Sequence, residues 1–433
     1  MGTVTYIRAI MLLLPGIVFA LTLIPALADE RGLSISRAVE YSLQNNGELK
    51  SFREEKDIHN AGRVKAGLLP NPTLDVEADT GALTGRSAES SVSFGVSQEF
   101  LLSKKRDKRL AVAECELEIY RWQLADRERI LREEVETVFY ETILTENKLD
   151  LASQAIGLNR QLLDVTMARL KAGDIPELEM NLVKVELARS EGVKIDVARL
   201  LNQSRAKLWT LMGLPNGEST EIAGSLDTEE VMTKSLSDLK QLAKVNRPDL
   251  RVLEAEKRRG DADILLAKAE RIPNLTAGLA VIRDTTSIDE VGGGEGKDTT
   301  YMVGLRISMP IPLFDRNQAG AQEARARRNS IESRLATAGK AIEREVETTY
   351  ADFLNCEKVL SLYRTTIIPQ LEENLKLTQE AYRLGEVGIL AVIQEQKNFF
   401  EVNDTYLTAL HDRQSALVKL ESAVAKELIG GVR

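Results

Sequence analysis

Apolar and polar residues alternate strictly over residues 73–80: Leu74, Val76 and Ala78 share one face, and Asp75, Glu77 and Asp79 share the other. The same period of two places Val92, Phe94 and Val96 opposite Ser91, Ser93, Gly95 and Ser97. Later, Tyr301, Val303, Leu305, Ile307 and Met309 alternate with Met302, Gly304, Arg306 and Ser308. Strands are expected over about 72–80, 91–100, 274–284 and 299–310. Elsewhere the spacing changes to three and four, as in Leu151, Ala155, Leu158, Leu162 and Val165, and in Leu371, Leu375, Thr378 and Tyr382. Helices are expected over about 34–68, 104–171 and 177–212, and again over about 236–270, 317–384 and 389–428. Between Ser103 and Ala172 there is no proline and only Gly157, so a helix of about 100 Å is allowed at 1.5 Å per residue. Gly173 and Gly385 supply matched helix caps, and Pro176 suits the first turn of a following helix.

That order of elements occurs twice. A shift of 211 residues puts Glu134-Val135-Glu136-Thr137 on Glu345-Val346-Glu347-Thr348, and Ser97 on Ser308. Asn45–Leu49 resembles Asn246–Leu250, and Lys171-Ala172-Gly173-Asp174 resembles Arg383-Leu384-Gly385-Glu386 at a shift of 212. The expected divisions are a leader at 1–28, a first repeat at 29–214, a linker at 215–235 and a second repeat at 236–433. The leader follows from Arg8, the apolar run that ends at Ile24, and Ala26-Leu27-Ala28, which describe a secretory signal peptide. The competing reading is a membrane anchor, but Pro15, Gly16 and Pro25 interrupt the run.

Four strands of about ten residues fit an ordinary sheet with one wet face, or a lipid-facing sheet. Little helix sequence is sized to cover so small a sheet, which favours lipid. Four strands cannot close a barrel, and an open edge cannot sit in lipid. Three chains would supply twelve strands and a lumen, with Asp75, Glu77 and Asp79 facing the pore. The segments 81–90 and 285–298 read as polar outer loops.

Composition narrows the partners. Aromatics are 5% and charged residues 28% of the 433 residues, a balance that suits long helices better than a thick core. The net charge of −9 argues against nucleic acid. The two cysteines, Cys115 and Cys356, lie in helical sequence with no paired-cysteine motif; a disulfide and two separate thiols are both open. The two histidines, His59 and His411, are far apart, and no nucleophile elbow or phosphate loop occurs, so neither an enzyme nor a cofactor is expected.

The duplicated unit, the run SMPIPLFDRNQAGAQEARAR at 308–327 and the run YRLGEVGILAVIQEQKNFFEVNDTYL at 382–407 resemble the TolC-like outer-membrane efflux proteins. PIPLFDRNQ is most similar to the CzcC-like branch, which serves heavy-metal efflux. The resemblance implies a mainly α fold with a small β part. It implies a homotrimer with a twelve-stranded outer-membrane barrel and a coiled-coil periplasmic tunnel, surrounded at the top by outer-membrane lipid. It also implies a periplasmic adaptor (membrane fusion) protein and an inner-membrane pump of the RND type as partners. On that basis Arg169, Gly173, Arg383 and Gly385 are adaptor-facing tips. Pro310 and Pro312 mark the exit from barrel to tunnel. Family members narrow the tunnel with acids six and nine positions after the second tip glycine; here Ala391 and Gln394 stand there. Glu179, Glu186 and Glu395 are the alternative gate candidates, or else solvated helix surface. The expected function is the exit duct of a tripartite heavy-metal efflux system. The alternatives are a duct for drugs or secreted protein, or a periplasmic coiled-coil scaffold with no channel.

Overall fold

The computed structural model describes residues 32–84, 86, 89–215, 221–227, 232–290 and 294–428. The expected leader at 1–28 lies outside the described residues, as do 216–220 and 228–231 of the linker.

Two halves repeat one order. The first contains α1 (Ile35–Asn45), α2 (Gly47–Gly67), β1 (Thr73–Thr80), β2 (Ser90–Phe100), α3 (Lys105–Ala172) and α4 (Glu177–Met212). The second contains α5 (Leu236–Asn246), α6 (Pro248–Glu270), β3 (Leu275–Glu290), β4 (Gly294–Ser308), α7 (Gln318–Leu362), α8 (Ile368–Leu384) and α9 (Ile389–Val424). At 68 residues, α3 is a rod of about 100 Å.

Three departures from the expected elements have local causes. The helix expected over 34–68 divides at Asn46, whose side chain accepts from the Leu49 amide (3.0 Å) and so starts a new helix. Its counterpart divides at Arg247 because Pro248 opens α6. The helix expected over 317–384 is interrupted by a π-helical turn at Tyr363–Ile367. Pro369 follows at once; it has no amide hydrogen to donate and its ring crowds the carbonyl four residues back, so the ladder loosens there.

Each half is pinned at equivalent points. Asn46 Nδ2 donates to the Leu211 carbonyl at the end of α4 (3.0 Å), and Arg247 Nη1 donates to the Ala423 carbonyl at the end of α9 (3.1 Å). Gly213 and Ala425 follow as left-handed caps, with φ of 69° and 54°. Gly213 must also stay small, because a Cβ there would lie 2.5 Å from the Asn45 carbonyl oxygen. Gly213→Ala is expected to cost about 1–2 kcal/mol, read as a lower urea midpoint. Ala425→Gly, where a side chain is already tolerated, should leave that midpoint unchanged or raised.

The main cores form a waist. One gathers Val135, Phe139, Leu208, Met212 and Leu226; the other gathers Leu239, Val346, Phe353, Leu417 and Leu420. The described linker residues 221–227 lie against this waist. Leu33 and Ile222 form a parallel bridge, and Gln414 donates to the Leu226 carbonyl (2.9 Å). Below the waist the helices form a layer in the order α4, α3, α9, α8. α4 and α8 are its two edges.

Candidate functional site

The four strands make one antiparallel sheet in the order β1-β2-β3-β4. Register fixes its faces. Leu74, Val76 and Ala78 lie beside Val96, Phe94 and Val92. Phe94 and Val96 lie beside Val281 and Leu279, which in turn face Val303 and Leu305. One apolar face therefore runs across all four strands. Ten of its side chains (Leu74, Val76, Phe94, Val96, Leu279, Val281, Tyr301, Val303, Leu305 and Ile307) are 53–79% exposed. Water-soluble monomers rarely leave so large a continuous apolar patch uncovered. Arg283 interrupts the face near the hairpin end, opposite Tyr301. Among the described residues no helix is long and apolar enough to cross a membrane, which says nothing of strands.

The opposite face is mostly polar or small, apart from Ile282 and Met302, which stand opposite each other on it. Asp75, Glu77 and Asp79 lie beside Gly95, Ser93 and Ser91, and Asp75 accepts from the Ser97 hydroxyl (2.7 Å). Register adds Asp284 and Asp298 to this face from β3 and β4, beyond the acids read from sequence. The segment expected as a loop at 285–298 is mostly strand: β3 continues to Glu290 and β4 begins at Gly294. Its Thr and Ser residues pair without an apolar stripe to announce them. Gly292 and Gly293 lie outside the described residues. β4 stops at Ser308, just before the prolines at 310 and 312.

At the far end the two tips have the same construction. Gly173 and Gly385 are left-handed, with φ of 83° and 80°. Each closes its helix by donating a hydrogen bond from its amide N–H to the carbonyl three residues back, Leu170 and Tyr382 respectively, both at 3.0 Å. Pro176 stands one position outside α4, as its cap residue, and Gly388 does the same for α9.

The charged tip residues part company. Arg383 is exposed. Arg169 instead reaches across to α8: its Nη1 donates to the Tyr382 carbonyl (3.2 Å), and its guanidinium lies 4.8 Å from the Tyr382 ring centre. Tyr382 is buried with Leu162, Val183, Ile389 and Val392, so this clasp joins the two hairpins. Glu186 pairs with Lys397 at 2.9 Å, linking α4 to α9. Glu179 and Glu395 each hold one covered carboxylate oxygen without a hydrogen-bond partner. Ala391 and Gln394 are exposed.

Above the tip, a cleft of about 320 Å³ lies between α3, α4 and α9. Asn159 donates to Ser190 across it (2.7 Å), while Asn159 Oδ1 and Gln396 Oε1 are covered and unpartnered. Asn159, Gln396 and Lys397 were not singled out from sequence, and Tyr382 was read only as part of the apolar helical stripe before the tip glycine.

Cys115 and Cys356 are separate, half-buried thiols, and burial pushes both pKa values up, away from the thiolate. His59 lies against the Tyr120 ring, and His411 meets Asp412 at 3.3 Å. Among the described residues no group of three or more His, Cys, Asp or Glu is placed to hold a metal ion.

Comparison with known proteins agrees with this architecture. The chain is 21% identical over 394 residues to the cobalt-zinc-cadmium resistance protein CzcC of Cupriavidus metallidurans, covering 91% of this chain and 90% of that protein. It is 24% identical to the nickel-cobalt-cadmium resistance protein NccC of Alcaligenes xylosoxydans xylosoxydans, and 22% identical to the pyoverdine export outer membrane protein OpmQ of Pseudomonas putida. Those two alignments cover 64% and 69% of this chain, and 60% and 61% of the two proteins. Among solved structures, CusC superposes with a TM-score of 0.73 at 17% identity, over 90% of this chain and 91% of that one. Residues 239–426 match the model of the outer membrane efflux protein family.

Proposed function

We propose that the chain is the outer-membrane exit duct of a tripartite efflux system that exports heavy-metal cations. The observation that carries the reading is the exposed apolar face across four strands, with β1 and β4 left as unpaired edges. Lipid is the solvent that such a face suits, and lipid tolerates no open edge. Copies of the chain must therefore close the sheet. Two copies would give eight strands, whose interior side chains nearly fill; three give twelve and a lumen.

The helical layer supports the same closure. Its edge helix α4 exposes Leu178, Val185, Val193 and Leu200, and α8 exposes Leu377 and Leu384. The spacing of seven and eight along α4 is that of a coiled-coil seam awaiting another helix. A periplasmic scaffold would not need the apolar sheet.

The tips carry the contact with the adaptor, through the exposed Arg383 and the turns at Gly173 and Gly385. Through the adaptor the duct meets its pump. The resting tunnel is held narrow where the Arg169–Tyr382 clasp ties the hairpins and where Glu186 and Lys397 tie α4 to α9. The adaptor opens it by binding the parted arrangement better. Arg169→Ala removes a cation–π contact and a charged hydrogen bond, together about 1–2 kcal/mol. The basal conductance of the purified protein in a planar bilayer is expected to rise up to about tenfold. Unchanged conductance would remove the clasp from the gate.

Metal cargo rests on the likeness to CzcC and NccC, and on the acids of the inner face, which favour cations. The likeness to OpmQ favours a second reading, an organic cargo. Deletion of the gene separates the two. Growth impaired by divalent metals alone, and restored by the intact gene, supports metal export. Sensitivity to hydrophobic drugs instead would keep the duct and discard the metal.

A further inference from the structure

We propose that Arg306 of one copy pairs, inside the lumen, with the acidic row Asp75, Glu77 and Asp79 of the next copy. Each seam would then be closed by an ion pair as well as by backbone hydrogen bonds. The inference rests on the three-copy reading above and specifies its interface.

Strand directions alternate from β1 to β4, so β4 of one copy meets β1 of the next antiparallel, as a ladder requires. The pleat then limits which residues can meet. A residue on the inner face can stand opposite only another inner residue, because a slip of one position would turn an entire strand over. The inner residues of β1 are Thr73, Asp75, Glu77 and Asp79; those of β4 include Gly304, Arg306 and Ser308. Suppose Arg306 stands opposite any of the four on β1. An acid is then directly opposite it, or diagonally two residues away, within reach of a long side chain. The conclusion therefore holds in every such register. In the same arrangement Leu74, Val76 and Ala78 meet the outward row Val303, Leu305 and Ile307, so the lipid face continues unbroken across the seam.

Within its own copy Arg306 is out of range. β2 and β3 separate β4 from β1, a distance of about 14 Å at 4.8 Å per strand. The Arg306 side chain is exposed beside Gly278, with no ion pair to any described residue of the chain, and Glu77 and Asp79 are likewise exposed and unpaired. Opposite charges therefore stand unpaired on the two edges that must join. The pairing also sets the lumen charge, because one acid per copy is neutralised at each seam and the others face the passing ion.

The test is cross-linking in the full-length protein carrying Cys115→Ser and Cys356→Ser. Arg306→Cys is combined in turn with Thr73→Cys, Asp75→Cys, Glu77→Cys or Asp79→Cys, and with Val76→Cys as the outward-facing control. Oxidation is expected to give a covalent trimer with one of the four inner positions and none with Val76→Cys. Separately, Arg306→Glu should lower the trimer recovered about tenfold, since like charges then oppose across the seam. A lysine at the acid identified by cross-linking should restore it. A protein that stays trimeric in detergent, forms no cross-link at any of the four and tolerates Arg306→Glu would overturn the pairing while leaving the duct intact. A parent protein that is monomeric would overturn the three-copy reading, and the pairing with it.

Discussion

Arg247→Ala is expected to destabilise the protein by about 3 kcal/mol, the largest stability effect foreseen for a single polar side chain here. The Arg247 side chain is only 6% exposed. It meets Asp249 in a two-pronged contact (3.0 and 2.7 Å), Glu345 on α7 (3.0 Å) and the Ala423 carbonyl at the end of α9 (3.1 Å). One guanidinium thus joins three elements at the waist. Removing it strands a carbonyl and two carboxylates. Asp249 and Glu345 are 35% and 44% exposed, so water recovers part of the loss and the lower end of the range for a broken buried pair applies. Arg247→Lys keeps the charge but loses the fork, and should fall between the two. The measurement is the urea midpoint of the protein in detergent. A midpoint equal to that of the parent would contradict the clamp.

The same clamp gives a pH dependence. Burial alone would lower the Arg247 pKa, but the bonds to Asp249 and Glu345 outweigh it and raise that pKa further. Burial alone would likewise raise Asp249, but the Arg247 bonds hold its carboxyl below the usual carboxylate range. A carboxyl depressed by folding stabilises the fold above its unfolded value, and that contribution is lost as pH falls through the folded value. The gap between the parent and Arg247→Ala should therefore be full at neutral pH and narrow below about pH 4.

Neutralising the inner acids together, as Asp75→Asn, Glu77→Gln and Asp79→Asn, is expected to lower the cation-over-anion permeability ratio about tenfold in a planar bilayer. The three lie on one face of β1 and would line the lumen of a closed barrel. A ring of like charge in a low-dielectric wall concentrates the opposite ion, and the field weakens as salt rises. The amides keep the side-chain size but remove the partner of Arg306 at the seam, so the ratio is read on the trimer that still assembles. Asp284 and Asp298 remain on the same face and leave a residual preference for cations. A ratio that does not move would place these acids away from the path of the ions.

The strands were legible because their two faces serve different surroundings, so period-two alternation is written directly into Leu74 to Asp79 and Tyr301 to Ser308. The outer extension of β3 and β4 was not, since Thr285, Thr286 and Ser287 are polar and carry no apolar stripe. The long rods followed from three-and-four spacing, and their ends from Gly173 and Gly385. The break before Pro369 was missed because the apolar stripe continues on both sides of it, at Leu360 and Leu371. The tip glycines could be found by comparing the two repeats. The contacts between tips could not. Arg169 meets Tyr382 across 213 positions, and Glu186 meets Lys397 across 211, the repeat shift itself. Such pairs exist only once the two hairpins lie side by side, which no local pattern records.

The most direct test of the account is the native mass of the protein extracted in detergent from isolated outer membranes. The account predicts three times the mass of a single chain, because only closure among copies removes the open edges of β1 and β4. A protein recovered as a monomer, or released from the periplasm without detergent, would contradict it.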